Sequence, residues 1–284
     1  MGTYAVTGSA SGMGNAVVTR LRERGHTVIT ADIKDADVIA DLSTAAGRQA
    51  CADAVLKACG GRLDGAVLAA GLGPTPGAQQ RITEVNYFGT VDLLTAWRSA
   101  LATAEKAKVV AFSSNSTTTM PAVPRRAVDA LLAGDAEKAL RTYRLFGSFA
   151  PPMAYGASKI AVSRWVRRHA VSAEWAGAGI RLNALAPGAI LTPMLERQLA
   201  TPAEAKQIHS FPVPIGGFGD AGQLADWVLF MLSDSAEFLC GSIVFVDGGS
   251  DAYFRADDWP RPVPARRLLS YLWRMKQFAK SNPR

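Results

Sequence analysis

The sequence predicts an α/β fold: a doubly wound parallel sheet in a single domain, with a helical insertion and a basic C-terminal tail. Three observations carry this expectation. Short β-rich apolar runs alternate with longer helical patterns along most of the chain. Those runs are apolar throughout instead of alternating, as strands buried on both faces are. The first run ends in a glycine-rich turn, "TGSASGMG" at 7–14, which opens a helix.

The elements follow in order. "TYAVTG" reads as the first strand, with a helical pattern at 12–25 behind it. "HTVITAD" is the second strand and ends at Asp32; a helix is expected over 44–59. "LDGAVLAAG" comes next, then a helix over 81–104 that carries Asn86, a residue that breaks or kinks helices. "KVVAFSS" ends at Ser113 and Ser114. Residues 117–152 break the rhythm with "RRAVDALLAGDAEKALRTYRLFG", which is helix-like and carries Val128, Leu131, Leu132, Leu140 and Leu145. A helix over 154–177, the strand "GIRLNALAPG", a helix over 220–233 and the strand "SIVFVDGG" complete the pattern. The expected division is a domain over 1–254 and an extension over 255–284.

Bulk properties exclude several classes. The 284 residues are 49% hydrophobic and 19% charged, enough for one large core. No apolar run has the length of a membrane span, and the first residues run directly into a strand pattern without a signal-peptide character. Cys51, Cys59 and Cys240 are widely spaced and His26, His169 and His209 are scattered, so neither a disulfide framework nor a metal site is expected, and a reducing cytoplasm fits. Net charge is +7, but residues 255–284 hold eight Lys/Arg and two Asp/Glu, leaving the rest nearly neutral. A nucleic-acid-binding body is not indicated.

The chemistry concentrates at strand ends. Gly8, Gly12 and Gly14 let backbone approach a pyrophosphate, and a helix N-terminus favours its charge. Asp32 lies 18 residues beyond Gly14, where a carboxylate accepts both ribose hydroxyls and repels a 2′-phosphate, favouring NAD over NADP. Ser114 is placed to donate to a substrate oxygen, although serines also simply end strands. Tyr155 and Lys159, in "MAYGASKIAVSRW", are spaced to share one helix face. An ammonium beside a phenol lowers its pKa toward the range of acid–base work; a solvated surface pair is the plain alternative.

Taken in order, TGxxxGxG at 7–14, Asp32, Asn86, Ser114, Tyr155-x-x-x-Lys159 and "PGAILT" at 187–192 resemble the short-chain dehydrogenases/reductases over roughly residues 2–252. Segments such as "ADIKDADVIADLSTAAGR", "AGLGP" and "RLNALAPGA", with the long insertion, are most similar to those of members acting on hydroxysteroids and hydrophobic carbonyls. The resemblance implies hydride transfer between NAD and a secondary alcohol or ketone. It implies Tyr155 as the acid/base, Lys159 as its partner and a holder of the nicotinamide ribose, and Ser114 as the group orienting the substrate oxygen. Asn86 would bend its helix and hold a water leading protons from Lys159 to solvent. The cofactor would lie against Thr7, Gly8, Ser11, Gly12, Met13 and Gly14, with Asp32 on the ribose, Asp41 and Leu42 bordering adenine, and Gly71 alongside. Pro187, Gly188, Ile190 and Thr192 would line the nicotinamide. Two departures stand out. Ala69-Ala70-Gly71 replaces the family's usual N-N-A-G, and the short stretch from Gly71 to Asn86 predicts a reduced or missing helix.

The segment after Pro187 holds Leu191, Met194, Leu195, Leu199, Ile208 and Phe211. It reads equally as a cover over a bulky apolar substrate, with Met194 in contact, or as a helix packing on the core. The resemblance favours a 3α-hydroxysteroid, a 3-ketosteroid or another hydrophobic carbonyl compound, and a homodimer, because the insertion occupies the surface relatives use for tetramers. In the tail, Leu268, Leu269, Leu272, Trp273 and Met275 form an expected apolar face among Arg266, Arg267, Arg274, Lys276 and Lys280. Docking on the chain's own body or a dimer mate, peripheral membrane contact through 264–280, and disorder all fit. Two rival functions remain open: an NADPH-linked 3-oxoacyl-thioester reductase, and a non-catalytic dinucleotide-binding or membrane-tethered protein.

Overall fold

All six apolar runs form strands in the computed structural model, which describes residues 1–281. In chain order the strands are β1 (Thr3–Thr7), β2 (Thr27–Asp32), a two-residue β3 (Val38–Ile39), β4 (Gly65–Leu68), β5 (Lys108–Phe112), β6 (Arg181–Pro187), the short β7 (Ile190–Leu191) and β8 (Gly219–Asp220), and β9 (Ile243–Val246). Seven of them make one parallel sheet in the order β3-β2-β1-β4-β5-β6-β9, while β7 and β8 pair separately. Helices α1 (Gly12–Glu23) and α11 (Ala221–Leu232) cover one face; α2 (Ala45–Ala58), α4 (Gly89–Ala102) and α8 (Ala150–His169) cover the other. Successive strand residues point to opposite faces. Val110 and Phe112 of β5 therefore join Val17 and Leu229, while Val109 and Ala111 join Leu94 and Val162. Both faces need apolar residues, which is why no strand alternates.

The order reverses between β1 and β4, where connections leave to either side of the sheet and open a crevice at the strands' carboxyl ends. The connection after β4 is short, as expected: α3 (Gln79–Thr83) has five residues and passes through a π-helical turn at Glu84–Phe88 into α4. Asn86 sits in that turn. Buried Arg48 of α2 fastens it, with Nε donating to Asp92 (2.7 Å) and Nη1 to Glu84 (2.9 Å) and to the Leu42 carbonyl (3.2 Å). Arg48→Ala is expected to lower unfolding stability by roughly 3 kcal/mol, the low end for a broken buried pair because Asp92 keeps solvent. A fall in the urea midpoint measures it.

The insertion differs from one helical pattern. It comprises α5 (Ser116–Thr119), α6 (Arg125–Leu132) and α7 (Ala136–Arg144), the last two split at Gly134, whose φ of +78° favours glycine. Asp135 then caps α7 by accepting from the Lys138 amide at 2.8 Å. Val128 and Leu131 are buried on α8, whereas Leu145 is 82% exposed and belongs to no core. Helix α8 begins at Ala150, four residues earlier than expected, since Pro151 and Pro152 suit a first turn. Helices α9 (Pro193–Leu199) and α10 (Pro202–Ser210) follow β7. After β9 come α12 (Ser250–Arg255) and α13 (Leu268–Ser281). Ser250 anchors α12 by donating its hydroxyl to the Pro212 carbonyl (2.7 Å), but residues 256–278 are exposed throughout. Docking of the tail on its own body is not what the described residues show.

Candidate active site

The glycine turn closes β1 onto α1. Gly8 has φ +68° and Gly12 +56°, both left-handed, and a Cβ on Gly14 would collide with the Gly8 carbonyl. Gly8 and Gly14 admit no side chain, and at Gly12 the left-handed backbone disfavours one. Helix α1 has no side-chain cap at Ser11 and no acidic residue in its first turn, so its amide ends remain available to an anion. The Ser9 hydroxyl beside it is buried without a partner. Asp32, at the end of β2, accepts from the Ala10 amide (2.9 Å) and the Ile33 amide (2.7 Å), which steers the turn while leaving carboxylate lone pairs free. Thr7 contributes structure, its hydroxyl accepting from the Ala70 amide at 3.2 Å. Asp41 is exposed, and hydrogen bonds from the Ser43 hydroxyl and amide hold its carboxyl below the usual range; Leu42 is buried under Gly89. A dinucleotide's diphosphate and ribose fit these donors and acceptors.

At the end of β5 the two serines separate in role. Ser113 turns inward, its hydroxyl 2.7 Å from that of Ser163 and donating to the Lys159 carbonyl at 3.3 Å, which fixes α8 to the sheet. Ser114 faces outward. It accepts from the Ser116 amide (3.1 Å) and is hydrogen-bonded to Tyr155. Lys159 is buried below Tyr155, with Nζ 6.0 Å from the ring centroid and donating to the Phe112 carbonyl at 2.9 Å.

The expected lowering of the tyrosine pKa by this lysine is not found in the protein alone. Burial raises the phenol, with only the Ser114 hydrogen bond opposing it. Burial also lowers Lys159 to about 8. The reason is geometric: the ammonium is spent on a carbonyl and stands beneath the ring, where desolvation outweighs its field.

Asn86 is fully buried. Its Oδ1 accepts from the Leu72 amide (2.7 Å) and its Nδ2 donates to the Leu72 carbonyl (3.0 Å), clamping the loop after β4. Gly71 lies between the two side chains, where a Cβ would make ordinary contacts of 3.4 Å to Asn86 Oδ1 and 3.6 Å to Lys159 Nζ.

A cavity of about 710 Å³ brings together Met13, Gly71, Ser114, Tyr155 and Lys159 with Pro187, Gly188, Ile190, Thr192 and Met194. The remaining sequence-derived positions, Thr7 to Gly14 apart from Met13, with Asp32, Asp41, Leu42 and Asn86, lie outside its lining. Met194 reaches across to within 2.9 Å of a Cβ position at Gly73, so α9 does cover the cavity. Sequence reasoning missed much of the apolar wall: Leu72, Pro74, Met120, Pro121, Pro151 and Pro152. Phe211, singled out only for its apolar character, also lines the cavity and is backed by Phe254 of α12, ring centroids 5.8 Å apart. The prolines of 151–152 are legible as helix-starters, but nothing local marks them as wall.

The chain is similar to several known proteins. Residues 141–251 match the family model described as Enoyl-(Acyl carrier protein) reductase. The chain is 38% identical over 256 residues to 3-alpha-hydroxysteroid dehydrogenase/carbonyl reductase of Comamonas testosteroni, spanning 90% of this chain and 98% of that protein. It is 30% identical over 266 residues to a 2,5-dichloro-2,5-cyclohexadiene-1,4-diol dehydrogenase of Sphingobium indicum, spanning 88% and 97%. Among solved structures, the 3-alpha-hydroxysteroid dehydrogenase from a Pseudomonas species complexed with NADH superposes with a TM-score of 0.84 at 41% identity, covering 90% of this chain and 99% of that one.

Proposed function

The chain belongs to the short-chain dehydrogenase/reductase family, and from that premise we propose that it interconverts a 3α-hydroxysteroid, or a similarly hydrophobic secondary alcohol, and its ketone with NAD. The observation that carries the reading is the cavity in which Tyr155, bonded to Ser114 and seated over Lys159, faces apolar walls. We assign the chemistry to residues 1–254 and treat 255–284 as an added segment.

A bound nicotinamide dinucleotide supplies or removes the hydride. The chain's own residues handle the oxygen and its proton. Ser114 and Tyr155 hold the substrate oxygen between two hydroxyls. During reduction, charge grows on that oxygen and Tyr155 Oη passes its proton to it; during oxidation the same atom takes the proton from the alcohol. Lys159 stabilises the phenolate that exists between proton transfers, and Asn86 bends its helix so that a water can be held there to lead protons from Lys159 to solvent. Asp32 takes the adenosine ribose, and the apolar wall around Met120, Pro151 and Phe211 excludes water and accepts a bulky ring system.

An NADPH-linked 3-oxoacyl-thioester reductase is the second reading. Asp32 opposes it, because its carboxylate sits where a 2′-phosphate would lie. Nicotinamide absorbance with androsterone and NAD or NADP, beside an acetoacetyl thioester and NADH or NADPH, tests both readings. Turnover of androsterone with NAD is expected, and Asp32→Ala should narrow the preference for NAD by roughly tenfold or more. Thioester turnover with NADPH alone would overturn the proposal.

The enzyme works as a homodimer in the cytoplasm, and residues 264–280 bring it to a membrane surface. Three free thiols support a reducing compartment. The edge strand β9 is only half-buried, Trp227 and Phe230 of α11 are exposed, and α6 and α7 cover α8 from the opposite side. A solution mass of two chains is expected; four would overturn the dimer.

A further inference from the structure

Helix α13 is surplus to the fold, whose sheet is complete at β9. It stands beyond an exposed "WPRPVP" whose prolines favour an extended spacer. At 100° per residue, Phe278, Tyr271, Met275, Leu268 and Leu272 fall within an arc of roughly 120°. All five are about half exposed or more. Arg274 borders the arc on one side and Lys276 and Lys280 on the other, with Arg266 and Arg267 in the preceding turn. Leu269 and Trp273, expected on the same apolar face, instead fall among the two lysines at its margin. From Trp259 to Ser281 there is no acidic residue. Pairing with a second copy of this helix would set cations against cations, whereas lipid phosphates answer them. Cationic stems flanking an apolar face, with a tryptophan at the margin, suit the headgroup boundary of a bilayer. The helix has 14 residues, and no described helix is long and apolar enough to cross.

We propose that α13 is an interfacial anchor selective for anionic phospholipid, tethering the enzyme where its substrate partitions. This rests on the reading above for its purpose, since an apolar alcohol or ketone concentrates in the bilayer. Co-sedimentation with vesicles of phosphatidylcholine containing phosphatidylglycerol, beside phosphatidylcholine alone, tests it with the full chain. Binding to the anionic vesicles is expected, falling with salt, lost in a chain ending at Pro264, and reduced roughly thirty-fold in Lys276→Gln/Lys280→Gln. Leu268→Ser/Leu272→Ser should also release the protein, while turnover of all variants without vesicles matches the parent. Equal binding to both vesicle types, binding retained by the shortened chain, or a tail that changes only the oligomeric state would overturn it. Sedimentation needs no turnover, so failure of the alcohol/ketone reading would show separately, as silence in the absorbance assay with vesicle binding intact.

Discussion

Tyr155→Phe is expected to reduce turnover by roughly a thousandfold while NAD affinity stays within a few-fold. General acid–base transfer contributes about 10²–10⁴, and phenylalanine retains the ring's packing while removing the only hydroxyl bonded to Ser114 from α8. Single-turnover kinetics beside cofactor titration separates the two quantities. Equal losses in both would mean that Tyr155 is structural. The direction of its pKa adds a second signature. Because burial raises the phenol, Tyr155 is protonated through the neutral range and ready to donate. Reduction should therefore hold level across neutral pH, whereas oxidation, which needs the base form, should rise from about pH 7 to about pH 9. A falling oxidative rate over that interval would contradict the assignment.

Lys159→Met is expected to do two opposite things. Turnover should fall roughly a hundredfold or more, since the phenolate loses its cation. The protein without cofactor should nevertheless become more stable. Burial lowers Lys159 from its ordinary 10.5 to about 8, so between those values the unfolded chain binds the proton that the folded chain has shed. Stability therefore rises with pH across that window, and below about 8 the folded protein bears the full cost of a buried ammonium. That shift corresponds to roughly 3 kcal/mol. After roughly 2 kcal/mol for the lost charge-assisted bond to the Phe112 carbonyl, a gain of about 1 kcal/mol at pH 7 is expected. Urea unfolding of both forms measures it, and the difference should shrink toward pH 10. A destabilised Lys159→Met would mean that the Phe112 bond outweighs the desolvation. The site is thus held in place at the expense of stability, as acid–base sites often are.

Much of this was legible in the chain. Apolar runs without alternation located all six principal strands, and the glycine turn, Asp32 and the Tyr155/Lys159 spacing marked the crevice at their carboxyl ends. Asn86 was legible as a helix breaker, and the structure turns that break into a π-helical turn clamped on Leu72. Less was visible where one pattern had two outcomes. The insertion reads as continuous until Gly134 splits it, and Ser113 and Ser114 look alike until one bonds Ser163 and the Lys159 carbonyl and the other bonds Tyr155.

The sequence by itself determined the parallel sheet, the position of its crevice and the order of the groups along it, because periodicity and turn chemistry are set by near neighbours in the chain. Only the tertiary structure decided the direction of the Tyr155 pKa, the fastening of Lys159 to Phe112, the cavity wall drawn from Leu72, Met120, Pro151 and Phe211, and the exposure of residues 256–278. Each of these depends on burial and on partner atoms far away in sequence, which no local pattern specifies.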